Sequence, residues 1–120
     1  MKTIRKQGGF TLVEVIIVAA IIGLLAAIAI PSFIKARGQA QQRTCVCNIV
    51  QLDEAVDQWA IEKRKKAGDT VVEEEVFAYL KRGKPLCPAG GTYNFYTVGT
   101  STAWCSYTSG DSPHSDTNAP

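Results

Sequence analysis

Gly8-Gly9-Phe10-Thr11-Leu12-Val13-Glu14 opens directly onto a run from Val15 to Ile34 that holds twenty residues and no charge. As a helix rising about 1.5 Å per residue, a run of roughly 20 residues covers the hydrocarbon core of a bilayer. Ahead of Phe10 stand three cations, Lys2, Arg5 and Lys6, the flank that stays on the cytoplasmic side of an inner-membrane helix. Glu14 is the odd residue. A lone carboxylate at the mouth of a membrane helix is costly and marks a functional position. A secretory signal peptide has an apolar stretch of only about 7–15 residues, and no acid normally opens it. A plain anchor fits the length and charge but leaves Gly8-Gly9 and Glu14 without a role.

Outward from this run, the pattern predicts one helix from Phe10 to about Lys66, apolar all round in its first half. Gly23 and Pro31 are its weak points, and Pro31 predicts a kink because it lacks a donor and crowds the preceding turn. Beyond Pro31 the run becomes polar, with Lys35, Arg37 and Arg43. From Cys45 onward, Cys45, Ile49, Leu52, Val56, Trp59 and Ala60 recur at helical spacing and form a core stripe. Trp59 reads as core. The cations from Lys63 to Lys66 suit a helix end, with Gly68 as the stop. Thr70 and Glu73 have capping-box spacing, so a second helix is expected from Val71 to about Arg82, closed by Gly83. Glu73, Glu74 and Glu75 serve its dipole rather than a metal, because neighbouring helical residues diverge by about 100°. Thr92–Val98 and Ala103–Tyr107, separated by a turn at 99–102, predict a β-hairpin across the long helix. The polar stretch from Ser109 to Pro120 reads as a loose tail. The fold class is α+β: a long N-terminal helix, transmembrane in its first half, packed by a short helix and a small antiparallel hairpin.

The formal charge of +2 counts the three leading cations; without residues 1–9, ten Lys and Arg face eleven Asp and Glu. A near-neutral chain is not a basic nucleic-acid binder, and it suits subunits that pack side by side. Four cysteines in 120 residues point to an oxidising compartment, which places the bulk of the chain outside the cytoplasm.

Lys6-Gln7-Gly8-Gly9-Phe10-Thr11-Leu12-Val13-Glu14, with the basic leader and the apolar run, resembles the processing site of type IV pilins and type II secretion pseudopilins. The resemblance covers roughly the first 35 residues. It implies a pilin-like fold, a leader over residues 1–9, a transmembrane half over 10–34 and a small extracytoplasmic head over 35–120. It further implies cleavage after Gly9 by a prepilin peptidase, N-methylation of Phe10 and a role for Glu14 in assembly. The implied partners are that peptidase, the bacterial inner membrane, and other copies of this chain or related pilins in a helical filament. The segment between Gly23 and Pro31 matches the part thought to loosen on assembly. A structural subunit is expected, not an enzyme; the alternative from another class is an uncleaved, monomeric, membrane-anchored binding module.

The cysteines leave their pairing open. Cys45 and Cys47 lie two apart on a helix, so they point about 200° apart and do not pair with each other. Cys87 and Cys105 flank the hairpin, and a link between them is the first expectation, adding about 3 kcal/mol by loop entropy. A link from Cys45 to either of them is the second. No metal site or other cofactor is expected, because no CxxC or Cys/His cluster shows in the sequence and His114, the single histidine, falls in the tail. The resemblance implies an acidic calcium loop near the C-terminus; here that region offers only Asp111 and Asp116, a departure from the pattern. No catalytic constellation or phosphate-binding glycine loop stands out.

Overall fold

The computed structural model describes residues 8–99, 103–107 and 114. They form a long helix, α1 (Leu12–Glu62), a short helix, α2 (Glu73–Phe77), and two strands, β1 (Tyr93–Asn94) and β2 (Trp104–Cys105). The architecture is the α+β arrangement expected: one long apolar-led helix, one short helix and an antiparallel pair. The chain divides into two units, Met1–Ala36 and Arg37–Pro120. The second unit is the head.

In the first unit, α1 begins at a cap that the sequence pattern also carries. The Thr11 hydroxyl accepts the Glu14 backbone N–H at 3.2 Å, and the Thr11 carbonyl accepts the Val15 N–H at 3.3 Å. Threonine at the cap and glutamate three residues on is the capping-box spacing, and an acid in the first turn suits the positive end of the helix dipole. The helix continues through both Gly23 and Pro31. Its large apolar side chains in this unit stand exposed, from 52% at Val18 to 76% at Leu12, and it is long and apolar enough to cross a membrane.

In the head, α1 buries Cys45, Ile49, Leu52, Ala55, Trp59 and Ala60. This is the expected stripe, except that Ala55 is fully covered and Val56 only half-buried. Trp59 is core, as expected, and its indole N–H donates to the Glu75 carboxylate at 2.6 Å. The helix stops earlier than Gly68. Lys65 N–H reaches back to the Ala60 carbonyl at 2.8 Å and Arg64 N–H to Ile61 at 3.3 Å. Arg64 has φ +52°, so the end is a Schellman closure with arginine where glycine is usual. The cations therefore follow the helix rather than occupy its last turn, and Lys65 lies 5.3 Å from the Trp59 ring centre.

The expected capping box at Thr70 does not form. Thr70 pairs with Thr97 in an isolated antiparallel bridge, flanked by Gly68 N–H to Val98 O at 2.8 Å and Val98 N–H to Asp69 O at 3.0 Å. Extended pairing there holds the chain away from a helical start, so α2 begins at Glu73 after Val72, with no side-chain cap, and ends at Phe77 rather than near Arg82. Residues 78–83 continue as turns. The hairpin is shorter than expected: Tyr93 pairs with Cys105 and Asn94 with Trp104. Beyond Asn94 the chain leaves that partner, and Thr97 serves the Thr70 bridge instead. The expected turn over 100–102 lies outside the described residues.

Two apolar clusters fill the head. One joins Cys45, Ile49 and Leu52 to Cys87, Tyr93, Ala103 and Cys105. The other joins Ala55, Trp59 and Ala60 to Val76 and Val98. Leu80 and Phe95 pack against both. Polar ties hold the loops to α1: the Asp53 carboxylate accepts the Ala103 N–H at 2.7 Å, and the Gln41 side chain donates to the Pro88 carbonyl at 3.3 Å.

Candidate functional site

The residues singled out in the N-terminal stretch lie together at the start of the first unit. Gly8, Gly9 and Phe10 precede the helix and are exposed. Phe10 and Glu14 line a shallow apolar groove with Val15, Val18, Ala19 and Ile22. Glu14 is the one charged residue between Phe10 and Ile34. The Thr11 cap fixes the backbone at Glu14, so this carboxylate occupies the third helical position of an otherwise apolar face.

A second constellation lies in the head, and it corrects the reading that no Cys/His cluster exists. Cys45, Cys87, Cys105 and His114 are all buried, and their ligand atoms lie within 4.8 Å of one another. Cys87 Sγ is 3.4 Å from His114 Nδ1. The three disulfide candidates do converge, but as free thiols, and Cys47 is exposed and stands outside the group. His114 is 2% exposed. Its backbone N–H donates to the Tyr107 carbonyl at 3.0 Å, and its ring lies 4.5 Å from the Tyr107 ring. The remainder of the expected tail, Asp111 and Asp116 included, lies outside the described residues.

Each sulfur has its own donor. The Cys87 sulfur faces the backbone N–H groups of Ala89 and Gly91, in a turn closed by Gly90 N–H to Cys87 O at 3.0 Å. The Cys105 sulfur faces the Tyr107 N–H. The Cys45 sulfur faces the Tyr93 hydroxyl, which itself accepts from the Asn48 side chain at 3.0 Å. Burial pushes the Cys45 thiol up to about 12, against the Tyr93 hydroxyl and with help from the neighbouring thiols. Burial also raises Cys105, opposed by the Tyr107 N–H. At Cys87 burial acts upward too, but the two backbone donors and the other thiols outweigh it and hold the thiol below its ordinary value. Burial lowers His114, which favours its neutral form.

Sequence reasoning missed His114 because the one described residue of the tail sits in the core. It also missed Asn48, Asp53 and Tyr93, whose polar ends look like ordinary surface in a linear pattern. The Cys87-Pro88-Ala89-Gly90-Gly91 turn was the available signal: a cysteine followed by proline and glycines presents backbone N–H groups to sulfur.

Fold and site together define a protein built on one apolar N-terminal helix of membrane-spanning length, carrying a small α+β head. Residues 4–30 match the family described as the prokaryotic N-terminal methylation motif. A type II secretion system core protein G from Aeromonas hydrophila is 36% identical over 110 residues, covering 79% of this chain and 76% of that protein. The core protein G from Vibrio cholerae is 40% identical over 62 residues, 52% of this chain and 42% of that protein. The type IV major pilin protein PilA from Myxococcus xanthus is 49% identical over 58 residues, 48% of this chain and 26% of that protein. The matched stretch thus spans less than half the length of the last two relatives. No solved structure matches. The chain belongs to the pilin and pseudopilin family.

Proposed function

We propose that this chain is the precursor of a structural filament subunit, in a type IV pilus-like or type II secretion pseudopilus filament. One observation carries the reading: the apolar stretch of α1 up to Ile34, with uncovered sides, bears a single carboxylate, Glu14, in its capped first turn near Phe10. Hydrolysis of the Gly9–Phe10 peptide bond by a prepilin peptidase creates an amine on Phe10, and N-methylation leaves that amine cationic. The helix over 10–34 anchors the subunit in the bacterial inner membrane with the head on the far side. In the filament, helices of neighbouring copies pack their apolar faces together, and the Phe10 amine of one copy meets Glu14 of the next. Opposite charges attract strongly in low dielectric, whereas either charge left alone there is heavily penalised. Glu14 therefore sets register. Gly23 and Pro31 bound the segment that loosens on assembly, since Pro31 has no N–H to give the preceding turn.

The test is Glu14→Ala expressed in the native host. The variant is cleaved after Gly9, yet it is missing from the sheared-surface or pseudopilus fraction. Mass spectrometry of the wild-type N-terminal peptide begins at methylated Phe10. A normal filament yield from the variant refutes the register role, and a wild-type peptide beginning at Met1 refutes the precursor reading.

A further inference from the structure

We infer that Cys45, Cys87, Cys105 and His114 form a structural zinc site within the head, tying its loops and β2 to the head's own stretch of α1. The four side chains supply three sulfurs and one nitrogen, a donor combination typical of closed tetrahedral zinc sites. Tetrahedral zinc, with Zn–S about 2.3 Å and Zn–N about 2.0 Å, separates sulfur from nitrogen by about 3.5 Å and sulfur from sulfur by about 3.8 Å. The Cys87 Sγ to His114 Nδ1 distance is 3.4 Å, and every other pair lies within 4.8 Å. All four residues are buried, so the protein supplies the whole coordination shell, as a structural rather than a catalytic site requires.

Each of the three sulfurs faces a hydrogen-bond donor. Three thiolates and a neutral imidazole around a zinc dication leave one net negative charge, which hydrogen-bond donors must offset. The backbone N–H groups of Ala89 and Gly91 face Cys87, that of Tyr107 faces Cys105 and the Tyr93 hydroxyl faces Cys45. Outer donors of this kind orient ligands and tune their basicity. Binding forms three Zn–S bonds and one Zn–N bond, breaks three S–H bonds and releases their protons to water, with no change of oxidation state.

A disulfide accounts for less of the arrangement. Any one link among Cys45, Cys87 and Cys105 leaves the third thiol buried beside His114, and Cys47 is exposed and outside the group. The site joins α1, through Cys45, to the Cys87 turn, to β2 and to His114, four places that the short hairpin alone holds weakly. The inference does not depend on the filament reading.

The test uses the full-length chain, extracted from membranes in detergent without reductant or chelator. Elemental analysis gives one zinc per chain. Alkylation with mass spectrometry modifies Cys47 at once and the other three cysteines only after a chelator is added. Cobalt in place of zinc gives thiolate-to-metal charge-transfer bands and the intense visible bands of a tetrahedral ion. Cys105→Ser and His114→Ala lose the bound zinc, while Cys47→Ser keeps it. Because the wild-type readings stand even where a variant misfolds, they decide the matter. Metal-free wild-type protein with a disulfide-linked peptide among Cys45, Cys87 and Cys105 overturns the inference, as does zinc retained unchanged in both ligand variants.

Discussion

A Cβ built on Gly91 would lie 2.6 Å from the Cys105 Sγ and 2.9 Å from the Tyr107 Cβ. Neither neighbour is a flexible side-chain end: Cys105 is fully buried and pairs through β2, and the Tyr107 backbone N lies 3.1 Å from the same point. Gly91 also presents its own N–H to Cys87. The position requires glycine for close approach, since an added methyl forces one sulfur out of the cluster. Gly91→Ala is therefore expected to destabilise the head by about 1–3 kcal/mol, the usual cost of overpacking a filled core, and to lower its zinc content. Thermal unfolding followed by tryptophan fluorescence measures this, because both tryptophans, Trp59 and Trp104, lie in the head. A variant with unchanged melting and full zinc content counts against the steric reading.

At the scale of elements, the end of α1 offers a stabilising change. Arg64 sits at φ +52° in a closure whose two backbone bonds are already made. A non-glycine residue in that region carries a steric cost of roughly 1–2 kcal/mol, partly offset because glycine loses more freedom on folding. Arg64→Gly is thus expected to raise stability by about 0.5–1 kcal/mol, read as a higher urea midpoint with an unchanged slope. An unchanged or lower midpoint would show that the arginine side chain matters more than its backbone. The same element shows how much could be read from the chain. The buried stripe and the apolar run revealed α1 and its core face because their periodicity extends over many turns. Its ends were harder. Thr-x-x-Glu occurs at Thr11–Glu14 and at Thr70–Glu73; the first caps a helix and the second does not, because Thr70 is drawn into a bridge with Thr97. A local motif does not reveal a distant competitor. The short strands fail for the same reason: Thr92–Val98 has strand composition throughout, but two different partners divide it.

At the scale of the whole chain, the two units carry separate determinants. Phe10 and Glu14, the residues proposed to act in assembly, belong to Met1–Ala36, and all four cluster residues belong to Arg37–Pro120. The first set stands out in the sequence because its residues are nearly contiguous. The second was not, because its ligands are scattered from Cys45 to His114 and only folding brings them within 4.8 Å. Mutations in sites that share no partners have additive effects, so the two functions should separate cleanly. Glu14→Ala protein is expected to fail in assembly while retaining one zinc and the wild-type melting of its head. Cys105→Ser protein is expected to lose zinc and melt at lower temperature, since zinc that binds only the folded state stabilises it by mass action, while its N-terminus is still cut after Gly9. Three measurements on each variant decide this: N-terminal peptide mass, zinc per chain and tryptophan-detected melting. Loss of zinc in Glu14→Ala, or loss of cleavage in Cys105→Ser, would mean that membrane helix and head fold as one cooperative unit, and the assignment of separate roles would have to be withdrawn.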